Sequence, residues 1–207
     1  MLEKIEKTKL LLVEGKDELN FFNKLLQLIE VIEVQTINVE GKDNFKNKMH
    51  ALYNQEGFNK VIRLGFIRDA EMEKANSAFD SICSILKSFN LPEPNQSNNI
   101  TKNTYPTIGI YIVPDNSGAG MLENLCLKTI ERQKKYICVE QFIKCCENYL
   151  TDEEKKIYNA PKAHVQSYLA SCVPIANNLG IGALRGHWDF NHEALNDIKH
   201  FLQSLFQ

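Results

Sequence analysis

Several things are scarce in this 207-residue chain, and each scarcity removes a class of protein. Charge of one sign is not in excess: 24 Lys and Arg stand against 26 Asp and Glu, a formal net charge of -2. No global field draws the chain to a polyanion, so a nucleic acid would have to meet a local basic patch or a metal ion. No window approaches the ~20 apolar residues of a membrane span, and the charged start without an apolar leader points to the cytoplasm. None of the six cysteines stands in a CxxC pair, which argues against zinc and, without secretory context, against a disulfide framework. They read as free thiols that behave as small hydrophobes.

What is present is an alternation. Lys9 to Val13 (KLLLV) is a continuous apolar run, suited to a strand buried on both faces, and ELNFFNKLLQLI after it carries apolar residues at helical spacing. VQTINV with NFKNKMHAL, KVIRLGFI with a helix through Ala78, Ile82, Ile85 and Leu86, and TIGIYIV with GMLENLCLKTI repeat the unit. Such repetition predicts an α/β fold: about four mainly parallel strands flanked by helices. Leu91 to Pro106, rich in Pro, Asn and Ser, reads as a long surface loop or a lid. Residues 1–135 form this core. Residues 136–207 read as a helical C-terminal extension packed on it in one compact unit, ending in a stripe of Ala194, Leu195, Ile198, Phe201, Leu202, Leu205 and Phe206. Asn191 is placed to cap that last helix, and Gly180, Gly182 and Gly186 mark a loop before it.

One pentapeptide, Val-Glu-Gly-Lys-Asp, is written twice, from Val13 and from Val39, each time where a strand ends and a helix starts. In open α/β sheets that edge binds ligands. Gly15 and Gly41 permit a tight turn, and Asp17 and Asp43 can cap the helices. The first copy has acidic company. Asp69 and Glu71 stand two apart at the end of the third strand, where period two turns both the same way. Asp115 follows the fourth strand, and Glu123 lies in the next helix. Carboxylates gathered at one edge repel, and a divalent cation relieves them; all-oxygen ligands suit Mg2+ or Mn2+ better than zinc.

The phrases LLVEGKDELNFF, GFIRDAE, VPDNSGAGMLENL and LGIGALRGHWDFNH resemble the Toprim domain, in the stand-alone branch related to the overcoming-lysogenisation-defect nucleases. The resemblance spans nearly the whole chain and implies a Toprim-like core. It implies that Glu14 acts as a general acid/base or metal ligand, that Asp69 and Glu71 form the metal pair, and that Asp115 and Glu123 serve a second ion. Glu71 departs from the family's usual Asp by one methylene, and Glu40 matches no site position. The chemistry implied is metal-assisted phosphodiester cleavage of DNA or RNA, with Glu14 and Asp69 central. Lys16, Lys42, Arg68 and Arg185 are the cations available to phosphate. His187 and His192 read as packed or capping residues. The rival is a non-catalytic module of the same shape that binds a partner protein; the resemblance also implies pairing with an ATPase.

Overall fold

The computed structural model describes residues 4–72 and 74–207. Strands β1 (Lys9–Val13), β2 (Val34–Asn38), β3 (Arg63–Asp69) and β4 (Thr107–Val113) form one sheet in the order β2-β1-β3-β4, every neighbouring pair parallel. Helices α1 (Lys16–Leu28), α2 (Phe45–Tyr53), α3 (Ala75–Ser88) and α4 (Leu122–Lys128) follow the four strands in turn. Then come α5 (Lys134–Glu147), α6 (Asp152–Ile157), α7 (Ala160–Ala170), α8 (Leu179–Leu184) and α9 (Asn196–Phe206). Among the described residues no helix is long and apolar enough to cross a membrane.

The strands lack polar alternation because both faces are covered. Leu10, Leu12, Leu64, Phe66, Ile108, Ile110 and Ile112 pack against α2 and α3. Leu11, Val13, Ile67, Tyr111 and Val113 face the other way, into a core shared with α1, α4, α5, α7, α8 and α9. The final stripe is therefore interior: Ile198, Phe201, Leu202, Leu205 and Phe206 are all buried. Its seat is made by two cross-strand neighbours, Gly65 and Gly109. A Cβ at Gly65 would stand 2.8 Å from Leu11 and 3.0 Å from Leu205 and Phe206; one at Gly109 would stand 2.9 Å from Phe201.

Three expectations need correction. The segment before β4 is no lid over the strand ends. Residues 98–101 run antiparallel along the outer edge of β4, where the Asn98 and Thr101 N–H groups donate to the Ile110 and Ile108 carbonyls, each at 2.8 Å. It closes an edge that would otherwise pair with another strand. Gly180 and Gly182 lie inside α8, not in a loop, and only Gly186 follows it. The reason is proximity, since a Cβ on Gly180 would meet the α1 backbone at Asp17 within 3.0 Å. The last helix is not capped by Asn191: a 3-10 turn, Glu193–Leu195, precedes α9 and is capped by the His192 ring, which accepts from Ala194 N–H at 3.2 Å.

Candidate functional site

The two pentapeptides lie side by side because β1 and β2 are neighbours. Val39 N–H donates to the Val13 carbonyl and Gly41 N–H to the Glu14 carbonyl, at 2.9 and 2.8 Å. Neither aspartate caps its own helix. Asp17 instead accepts from Gly180 N–H at 3.0 Å, tying α1 to the start of α8.

At the carboxyl ends of β1 and β3 a hollow of about 390 Å³ is lined by Glu14, Lys16, Glu18, Glu40, Asp69, Glu71, Met121, Glu123 and Lys162, with the Gly15 and Gly41 turns. Asp69, the last residue of β3, is fixed at both ends. Its N–H donates to Glu14 Oε2 at 3.4 Å, and its Oδ1 accepts from Leu122 N–H at 3.1 Å, at the first turn of α4. Glu18 stands one helical turn beyond Glu14, and its carboxylate lies over Gly15, so close that a Cβ there would be 2.7 Å from Oε2.

Burial is the main reason these acids hold protons more tightly than usual. It raises Glu14, with Glu71 adding repulsion and the Asp69 N–H opposing. It raises Asp69 well above the usual carboxylate range, with Glu14, Glu18 and Glu123 adding to the effect. It raises Glu123, against Lys162, and carries Glu18 to about 7 with help from Glu14, Glu123 and Asp17. Desolvation plus like charge in a cleft at a strand edge makes this hollow the functional-site candidate.

The structure thus brings Glu14, Asp69, Glu71, Glu123 and Lys16 to one place. It does so for Glu71 by a route other than strand periodicity. Glu71 lies beyond β3 with φ of 56°, bridged to Gly120 through two 2.7 Å backbone hydrogen bonds, and its carboxylate pairs with Lys42. Asp115 does not line the hollow: its Oδ1 accepts from Ser117 N–H, Ser117 Oγ and Gly118 N–H, and Lys128 stands 3.7 Å from Oδ2. The Gly118 N–H is the main cause of its lowered pKa. Arg68 points to the opposite face of the sheet, into a hollow with Lys42 and Lys46, and Arg185 is exposed where α8 ends. Two charged lining residues escaped the sequence reading. Glu18 carried a usable signal, since it stands four residues from Glu14 across a predicted helix start; Lys162 carried none, because only tertiary packing brings α7 there.

The donor set suits a hard cation, being carboxylate oxygen throughout. Among the described residues, however, no three His, Cys, Asp or Glu side chains are drawn close enough together to hold a metal ion. His187 and His192 are occupied elsewhere, the first with the Pro174 carbonyl at 2.8 Å and the second as a cap.

Residues 8–207 match the family described as a protein of unknown function (DUF3226), and the chain belongs to that family. No curated protein matches it. Its fold is that of the C-terminal region of OLD proteins. The Burkholderia pseudomallei region matches with a TM-score of 0.50 and 11% identity, over 98% of this chain and 100% of the other. That of Xanthomonas campestris pv. campestris matches with a TM-score of 0.50 and 12% identity, over 97% and 96%.

Proposed function

We propose that this chain is a Toprim-type, divalent-metal-dependent phosphodiester hydrolase of nucleic acid, using Mg2+ or Mn2+ in the cytoplasm alongside a partner ATPase. One observation carries the reading: Glu14, Glu18, Asp69 and Glu123 converge on one hollow at the sheet's carboxyl edge, each with a raised pKa. Half-buried acids that repel one another cost stability unless positive charge arrives. Glu14, Asp69, Glu71 and Glu123 would hold the ion once they draw closer together than they stand here, Glu71 after parting from Lys42, and Asp115 only after leaving its own turn. When bound, such an ion supplies an acidified water and stabilises the departing oxygen.

The chain's own groups do the rest. Glu18, whose pKa burial lifts to about 7 in the ion-free hollow, stands in the lining as the carboxyl outside the proposed ligand set and is the group offered for proton transfer. Asp69 is held in place by the α4 backbone, so its carboxylate needs little reorganisation. Lys16 and Lys162 stand in the lining and favour the approach of phosphate to an otherwise acidic hollow. Calorimetric titration of Mn2+ and Mg2+ into wild type, Glu14→Ala and Asp69→Ala, followed by incubation with plasmid and single-stranded RNA, tests the reading. Both variants are expected to fold, to lose ion binding and to lose cleavage. Ion binding without cleavage would favour the partner-binding module of the same shape. A wild type that binds no ion would overturn the hydrolase.

A further inference from the structure

Behind the acidic hollow, on the opposite face of β3, lies a second one of about 410 Å³ whose chemistry is the reverse. Its charged lining is Lys42, Lys46 and Arg68 against one carboxylate, Asp43, and α3 adds Ser81, Ser84 and Ser88. Strand geometry separates the two hollows: Asp69 and Arg68 are adjacent, so their side chains leave β3 on opposite faces. We infer that this hollow is a phosphate-binding subsite, formed by Arg68, Lys46 and Lys42 and distinct from the carboxylate site.

The strongest support is Arg68 itself. Among the described residues its buried Nε has no hydrogen-bond partner, although a guanidinium donates in a fixed fork and an unmet buried donor is costly. A tetrahedral oxyanion matches that fork, and a turn of the Arg68 side chain, whose Nε is closed to water here, would let the anion meet the missing bond. The serines fall three and four residues apart on α3 and so share one face. Ser84 and Ser88 already donate to the Asp80 and Ile85 carbonyls, at 2.8 and 2.7 Å, whereas the Ser81 hydroxyl makes no hydrogen bond among the described residues and can donate to an anion. Asp43 opposes a dianion only weakly, because it is exposed to water.

Lys42 lines this hollow while its ammonium pairs with Glu71 of the other. An anion that draws Lys42 back releases Glu71 toward the acids. Phosphate here and a cation there therefore favour each other, and by linkage the preference is reciprocal. Two sources would supply the group: the backbone of a nucleic-acid strand, or a free phosphate. That the phosphate belongs to a strand being cleaved rests on the hydrolase reading; the binding does not.

The test uses the full chain in chelator, where no metal-dependent cleavage occurs, so that failure of the hydrolase reading and failure of this one are separable. A labelled single-stranded oligonucleotide is titrated over a range of salt concentrations, and inorganic phosphate is titrated by calorimetry. Arg68→Gln and the exposed Lys46→Gln are compared with wild type after their melting curves establish folding. Each substitution is expected to weaken binding about tenfold. For the oligonucleotide the log–log salt slope should also fall by roughly 0.7 for each phosphate that is no longer neutralised. Oligonucleotide binding that the substitutions weaken, without phosphate binding, supports the subsite and assigns it to a strand. Phosphate binding abolished in both variants supports it and assigns it to the free ion. Binding of neither probe by wild type, or unchanged affinity in both folded variants, overturns it.

Discussion

The two copies of Val-Glu-Gly-Lys-Asp are adjacent in space, identical in sequence and unlike in use. In the first, Glu14 turns into the carboxylate hollow and touches the Asp69 backbone, and Gly15 precedes a helix of 13 residues. In the second, Glu40 borders the same hollow but is exposed, with φ of 67°, Gly41 has φ of 113°, and the next three residues form only a 3-10 turn. The lysines part as well, since Lys42 reaches across to Glu71 whereas Lys16 stays at its own hollow. What separates them is the neighbour. β1 lies between β2 and β3 and so puts its carboxyl end beside Asp69, while β2 is an edge strand with a partner on one side. Position in the sheet decides what a peptide does, and the second copy contributes through its lysine instead of its acid.

That contrast can be broken most directly by exchanging charge for amide. Glu14→Gln is expected to reduce metal-dependent cleavage by more than the ~10–100-fold cost of losing an outer-shell partner, and Glu40→Gln to leave it within about threefold. Equal losses in a plasmid-nicking assay would make the copies equivalent after all. The aspartates give a smaller difference, read by urea unfolding. Asp17→Ala strands the buried Gly180 N–H and should cost about 1–3 kcal/mol, whereas Asp43→Ala should stay within ~0.5 kcal/mol.

A pH series isolates the first copy's helix. Burial carries the Glu18 pKa from 4.5 to about 7, so between these values the folded chain holds a proton that the unfolded chain has released. Stability in chelator should therefore be highest below 4.5 for this group, fall as pH rises toward 7, and level off above. Glu18→Gln should flatten that part of the profile; an unchanged slope would place the titrating group elsewhere. The smallest effect belongs to the second copy. Lys42 and Glu71 are both partly exposed, so a double-mutant cycle of Lys42→Gln with Glu71→Gln should give a coupling below ~1 kcal/mol.

The parallel sheet was legible because buried strands and amphipathic helices write distinct periods; the places of Glu14 and Asp69 at strand ends followed from those periods, and that of Glu123 from the helix after β4. Where the structure departs from the reading, either a local turn or a neighbour distant in sequence is responsible. Glu71 reaches the hollow through a left-handed residue that period-two reasoning does not contain. Asp115 was assigned by its place after β4, yet a local turn through Ser117 and Gly118 turns its carboxylate away. Gly180 and Gly182 suggested a loop, because glycine in a helix is unfavourable unless something must come close. That something is α1 for Gly180, whose partner Asp17 lies 163 residues earlier, and Leu169 with Trp188 for Gly182.

The glycine seat of α9 has a consequence for the order in which the molecule assembles. Gly65 and Gly109 expose bare backbone to Phe201, Leu205 and Phe206, and Lys9 Nζ donates to the Phe206 carbonyl across 197 residues of sequence. One side of the sheet thus stays wet until some of the most distant pairings in the chain have formed. Loops that long close late and at an entropic cost that local interactions do not repay. Refolding should accordingly be slow and its rate-limiting barrier topological. A variant with alanine at Gly65 should chiefly unfold faster if α9 docks after that barrier, and refold more slowly if docking is the barrier itself.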